Sequence, residues 1–166
     1  MEWSFRVYDE LKLNELYDLL ELRAKVFVVE QDCAYQDLDR NDPKAIHLMG
    51  YKKNKLIAYS RIFRPGAFEK KYARIGRIVT HKQNRGKGIG YTLVKKSIAF
   101  CKDHFGEQTI KISAQAHLMK FYTQCGFVEK GKTYLEDGIP HCSMYFNYSR
   151  KSDLIDLQNR AKGFQK

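Results

Sequence analysis

The chain has no pair of cysteines at C-x-x-C spacing. Its four cysteines, Cys33, Cys101, Cys125 and Cys142, stand apart. That spacing argues against a zinc knuckle, and no metal is expected. In a reducing compartment such thiols stay free and are mostly packed. No apolar run reaches the roughly 20 residues that cross a bilayer, so a membrane is not expected as a partner. The opening residues, Met1 to Arg6, lack the basic flank and apolar stretch of a signal peptide. A cytoplasmic location is the expectation. Both common phosphate fingerprints are missing as well. There is no Gly-x-x-x-x-Gly-Lys-Ser/Thr, and Gly-x-Gly-x-x-Gly fails because Gly88 is followed by Ile89 and then Gly90. Internal repeats and low-complexity linkers are also absent.

What is present fits one globular domain. The 166 residues are enough for a sizeable core, and 43% hydrophobic with 13% aromatic residues is not the composition of a disordered chain. The formal net charge of +11 fits either a nucleic acid or a polyanionic small ligand. The basic residues are spread along the chain and form no aromatic-interleaved basic tract. Nucleic acid is therefore the disfavoured partner.

Hydrophobic periodicity predicts a strand over 3–8 and a helix from about Leu13 to Val29, with Leu13, Leu16, Leu20, Val26 and Phe27 on its buried face. The end of that helix is open, because Val26 to Val29 also suits a strand. Glu30, Asp32, Asp37, Asp39 and Asp42 follow as an acidic segment in a basic protein. It reads either as an attractor for a cationic amine or as a solvated loop, and Arg77 is a candidate to pair with it. Strands are predicted at Ile46–Tyr51, Leu56–Phe63, Tyr72–Thr80 and Thr109–Ser113, and helices at Ile89–His104 and Ala116–Gln124. Phe127–Leu135 and His141–Phe146 form a hairpin across Glu136-Asp137-Gly138, with Pro140 delaying or bulging its second strand. Strand, helix and strand from Tyr72 to Ser113 imply a parallel βαβ unit.

The strand ending at Thr80 leads into Gln83-Asn84-Arg85-Gly86-Lys87-Gly88-Ile89-Gly90. Glycines admit a ligand close to the backbone, and a helix N-terminus adds unpaired N–H donors with a partial positive charge. The combination suits phosphate. The plainer alternative is a glycine-rich turn capping a basic helix.

This loop resembles the pyrophosphate loop, Gln/Arg-x-x-Gly-x-Gly/Ala, of the GNAT superfamily of N-acetyltransferases. A second stretch, Ala114 to Phe127 with Phe121-Tyr122 and Gly126-Phe127, is similar to the superfamily's later motif. Arg23–Gln31, Ile75–Val79, Ala114–His117 and Glu136–His141 resemble the ElaA-type branch. The resemblance covers residues 1–147 as an N-acetyltransferase domain and leaves 148–166 as a C-terminal extension, helical over Leu154–Ala161. It implies the acyl-CoA N-acyltransferase fold, of the α/β (α+β) class: a mixed, mainly antiparallel sheet flanked by helices, with the strand before the glycine loop splaying from Thr109–Ser113.

The implied activity is direct transfer of an acetyl group from acetyl-CoA to a primary amine of a small molecule or peptide, through a ternary complex. By the resemblance, Ile78, Val79 and Thr80 offer backbone groups to the pantetheine arm. Arg85, Gly86, Lys87, Gly88, Ile89 and Gly90 hold the pyrophosphate. Gln115 stands where many members carry an asparagine that helps hold the pantetheine arm, and is the cofactor-binding candidate there. Tyr122 matches the tyrosine that protonates the departing thiolate, its alternative being a packed core tyrosine. Glu30 is a catalytic candidate as base and, with Gln31, His117 and His141, an acceptor-binding candidate. Histidine is the side chain that titrates near neutrality, so His117 and His141 are further candidates, as is a relayed water. A homodimer is compatible with the sequence. The other function classes are a non-catalytic acetyl-CoA-binding regulatory module and a basic nucleic-acid-binding protein.

Overall fold

The first strand forms as its sequence predicts: β1 (Glu2–Val7) pairs antiparallel with β2 (Ile46–Lys52). The computed structural model describes residues 1–148. Between these strands runs α1 (Leu13–Arg23), which continues without a break into a π-helical turn, Ala24–Glu30. There Gln31 N–H donates to the Val26 carbonyl at 3.2 Å and Cys33 N–H to that of Val28 at 3.1 Å. These bonds reach five residues back, the widened form often found at functional sites. The run Val26 to Val29 therefore stays helical. The buried face consists of Leu19, Leu22, Arg23 and Val26, while Leu13 is 81% exposed. At 100° per residue Leu13 lies about 120° away from Leu19, which puts it off the stripe.

β2 turns into β3 (Lys55–Phe63) through Lys53 and Asn54, both in the left-handed region at φ 50° and 57°. Such a two-residue turn matches the twist of the strands it joins. β4 (Ala73–Thr80), α2 (Ile89–Phe105) and β5 (Ile110–Gln115) form the crossover unit. A short helix, α3 (Met119–Gln124), follows, and then β6 (Val128–Glu129), β7 (Tyr134–Glu136) and β8 (Ile139–Phe146). The sheet order is β1-β2-β3-β4-β5-β8-β6, with β7 also on β8. Only β4 and β5 are parallel.

The predicted strand Phe127–Leu135 is two short strands. Gly131, at φ 103°, lies in the connection that separates them. Pro140 neither delays nor bulges β8, which starts at Ile139. It sits one residue beyond the last β5–β8 pair, Gln115 with His141, so its missing N–H removes no bond to β5. Asp137 and Gly138, at φ 50° and 78°, close the β7–β8 turn.

Two features of β4 create the site. It pairs with β5 only at Ala73–Ile110 and Arg74–Lys111, after which the strands part. Toward β3 the register passes from Tyr59–Val79 to Arg61–Gly76, so Ser60 opposes both Arg77 and Ile78. This bulge, with Arg77 at φ 49°, bends the strand. Two apolar clusters fix the layers. Leu93, Val94, Ile98 and Cys101 of α2 pack with Ile62, Ile75, Ile112 and Phe127. Leu19, Leu22 and Val26 pack with Met49, Tyr59 and Val79 on the other face. Among the described residues no helix is long and apolar enough to cross a membrane. The expected helix at Leu154–Ala161 lies outside them.

Candidate active site

Where β4 leaves β5 a cavity of about 740 Å³ opens, within the usual size range of ligand pockets. The glycine loop, β4, α3, the segment after the π turn, β5 and the β7–β8 hairpin line it.

Gly86 and Gly88 lie at φ 75° and 72°, and a Cβ on either would meet nothing within 4 Å. They are glycines for backbone conformation, not for lack of room. The first bond of α2 runs from Thr92 N–H to the Gly88 carbonyl at 3.0 Å, which leaves the N–H groups of Ile89, Gly90 and Tyr91 without an intrahelical acceptor. Arg85, Gly86, Gly88, Ile89 and Gly90 line the cavity, as do Ile78, Val79 and Thr80. Lys87 does not, and its Nζ lies 3.5 Å from the Gln83 carbonyl.

Glu30 is also outside the large cavity. It lines a separate recess of about 200 Å³ with Lys25, His81 and Lys82. Its carboxylate accepts from Arg85 Nη2 at 3.1 Å, and the Arg85 hydrogen bond holds its pKa below the ordinary value. A carboxylate so paired is a poor proton acceptor. The expectation of Glu30 as base therefore meets two obstacles, its position and its partner.

Tyr122 lines the cavity and is 6% exposed. Burial pushes its hydroxyl pKa up, so the group keeps its proton. The Gln115 amide crosses to Gln31, donating to its Oε1 at 2.9 Å, and both residues line the cavity. His117 does too. His141 is the best defined of the histidines at the cavity. Its Nδ1 lies 2.8 Å from the Ile139 carbonyl oxygen, which only accepts, so Nδ1 carries the proton and Nε2 the lone pair. Its ring stacks on Tyr134 with centroids 6.3 Å apart.

The acidic segment is neither a free attractor of cations nor merely solvated. Arg23, fully buried, donates to Asp37 at 2.8 Å and to Asp42 at 2.6 Å. Arg61 holds both oxygens of Asp39 at 2.7 Å, and Arg77 Nε bonds Asp37 at 2.6 Å. Three arginines balance three aspartates, and the segment is stitched to α1, β3 and β4. Sequence reasoning also passed over Ser113, Tyr134 and Glu136, which are joined by hydrogen bonds at the cavity. The available signal was alternation along β5, which turns Ser113 and Gln115 to one face.

Known proteins share this arrangement. A family model described as an acetyltransferase (GNAT) domain matches residues 15–147. The protein ElaA of Escherichia coli is 39% identical over 146 residues, covering 87% of this chain and 95% of that protein. Its crystal structure superposes with a TM-score of 0.82 over 88% of this chain and 99% of that one. An acyl-CoA N-acyltransferase from Pseudomonas aeruginosa is 37% identical, with a TM-score of 0.83 over 88% and 99% of the two chains. A GNAT acetyltransferase from Elizabethkingia anophelis, solved with acetyl-CoA bound, is 13% identical with a TM-score of 0.64 over 88% of this chain and 97% of that one, a likeness of fold alone. With its parted β4 and β5, its glycine loop and these relatives, the chain belongs to the GNAT acetyltransferase family as an ElaA-like acyltransferase.

Proposed function

We propose that this acyltransferase moves an acetyl group from acetyl-CoA to a primary amine within a ternary complex. The observation that carries the reading is one cavity lined both by the glycine loop with Arg85 and by His141, whose Nδ1–H is engaged with the Ile139 carbonyl. Arg85 and the free N–H groups at the start of α2 suit the pyrophosphate of CoA. The β4 backbone beyond Arg74, unpaired on its β5 side, suits the amide groups of the pantetheine arm. The catalytic unit is the domain 1–147.

An ammonium has no lone pair, so the acceptor must lose a proton. His141 Nε2 takes it, directly or through water. The amine nitrogen then attacks the thioester carbonyl carbon, and a β4 N–H group steadies the oxyanion. The C–S bond breaks as the carbonyl re-forms. The sulfur takes a proton from Tyr122, whose buried hydroxyl is protonated at the outset, and the nitrogen, which still carries one proton more than the amide, gives it up through water so that the tyrosine hydroxyl is restored. The base is thus assigned to His141 in place of Glu30, which serves to hold Arg85.

The test is release of CoA thiol from acetyl-CoA with a panel of amines, each product checked by mass. Acetylated amine formed at saturable rates supports the reading. Tight acetyl-CoA binding with no transfer to any amine would make the protein a CoA-binding module instead.

A further inference from the structure

We infer that Glu136 binds a second cationic group of the acceptor, which makes the preferred acceptor a short aliphatic diamine or oligoamine. The inference rests on the acetyl-transfer reading and extends it to a substrate class. Of the charged side chains lining the cavity, the arginines are all engaged. Arg61 is held by Asp39 and Asp42, Arg77 by Asp37, and Arg74 sits 3.5 Å from Glu69. Asp39 is likewise spent on Arg61.

Glu136 differs. Among the described residues its hydrogen-bond partner is a hydroxyl, with Ser113 Oγ donating to Oε2 at 2.6 Å. Serine has one proton to give, so the Tyr134 hydroxyl, 2.7 Å away, is the donor to Ser113. The chain Tyr134 to Ser113 to Glu136 orients the carboxylate without neutralising it, and Oε1 keeps its acceptor capacity. An apolar or anionic ligand group seated here would strip water from a carboxylate and give nothing back, a large penalty, and a neutral donor returns a weaker bond than a charged one. An ammonium replaces that water with a charge-assisted bond.

The spacing to the base fits a small molecule. Tyr134 pairs with His141 across β7 and β8, and Glu136 lies two residues beyond Tyr134. Side chains two apart share a face, so Glu136 and His141 are diagonal neighbours about 7–8 Å apart. One amine of a short diamine can reach His141 Nε2 while the other rests on Glu136. A monoamine satisfies only the first.

The experiment is calorimetric titration of the full chain, saturated with CoA, using 1,4-diaminobutane and butylamine. Wild type, Glu136→Gln and Ser113→Ala are compared, with thermal melts confirming that each folds. The expected result is diamine affinity at least about ten-fold above that of butylamine, from one charge-assisted contact. That preference is lost in E136Q and reduced in S113A. Equal binding of the two amines by wild type, binding of neither, or an intact preference in E136Q overturns the inference. A parallel transfer assay separates the two ideas. Glu136-dependent diamine binding without acetyl transfer would overturn the reaction and leave the subsite. Transfer to both amines at equal kcat/KM would leave the reaction and remove the subsite.

Discussion

Arg85 and Glu30, 55 residues apart in the chain, are joined by hydrogen bonds from the guanidinium to both carboxylate oxygens. The same guanidinium also donates to the Thr80 carbonyl, at 3.2 Å from Nε and 3.1 Å from Nη2. The residue offered to the pyrophosphate is thus already held by an anion. Incoming phosphate must displace Glu30 or share Arg85 with it. An exposed pair of this kind is worth about 1 kcal/mol or less. Glu30→Gln is therefore expected to tighten acetyl-CoA binding by up to about five-fold, with kcat retained. Titration calorimetry and steady-state kinetics check both halves. A collapse of kcat at unchanged affinity would return the base to Glu30.

Replacing His141 by Gln removes the Nε2 lone pair while keeping a polar side chain. Turnover should fall by about 10²–10⁴, the usual worth of a general base. The rise of rate with pH that a base imposes should vanish with it, and acetyl-CoA affinity should hold. A pH–rate profile of the variant parallel to that of wild type would exclude His141.

Tyr122→Phe removes one buried oxygen and no packing surface. Turnover should drop by about 10²-fold, the low end for a proton-transfer group. Acetyl-CoA affinity should stay near that of wild type. Unchanged turnover would take Tyr122 out of the proton path and leave it a packing residue.

Much of this was legible in the sequence. Gly86 and Gly88 marked a loop that admits a ligand close to its backbone, though not the positive φ that both adopt, and the parting of β4 from β5 followed from a resemblance carried by motifs on both strands. The electrostatics were not legible. An arginine on an amphipathic helix is normally placed toward water, yet Arg23 is fully buried. Its partners Asp37 and Asp42 lie 14 and 19 residues on, outside any helix or strand period that pattern reading can use. The Glu30–Arg85 pair is hidden for the same reason. So is the role of Glu136, since only the fold brings β7 beside Ser113 of β5.

The buried network makes stability depend on pH. His47 Nε2–H donates to the Asp42 carbonyl at 3.1 Å, so Nδ1 accepts from the Tyr59 hydroxyl at 2.7 Å, and the neutral ring is fully satisfied. Burial lowers its pKa from 6.5 to about 4. The unfolded chain binds a proton that the folded chain refuses, so this contribution is complete above about pH 6.5 and is lost as pH falls toward 4. Over that range it amounts to about 3 kcal/mol. Asp37 and Asp39, also held below the ordinary carboxylate value, extend the loss to lower pH. Thermal melts from pH 7 to 4.5 should fall more steeply for wild type than for His47→Gln. Parallel curves would contradict the assignment.

Breaking the network outright should cost more. Arg23→Met leaves Asp37 with Arg77 and Asp42 with Arg61 in place of two arginines each, and removing one member of a buried network costs up to about 3–5 kcal/mol. Chemical denaturation measures this directly. A loss below about 1 kcal/mol would mean that Arg61 and Arg77 hold the aspartates without Arg23.

The most direct test of the whole account is calorimetric titration with acetyl-CoA near physiological salt, with ATP as a polyanion control. Saturable one-to-one binding of acetyl-CoA, weak or absent with ATP and reduced by Arg85→Ala, is the predicted result. No binding, or equal binding of ATP, would mean that the glycine loop is a general anion site, and the acetyl-transfer account would fail.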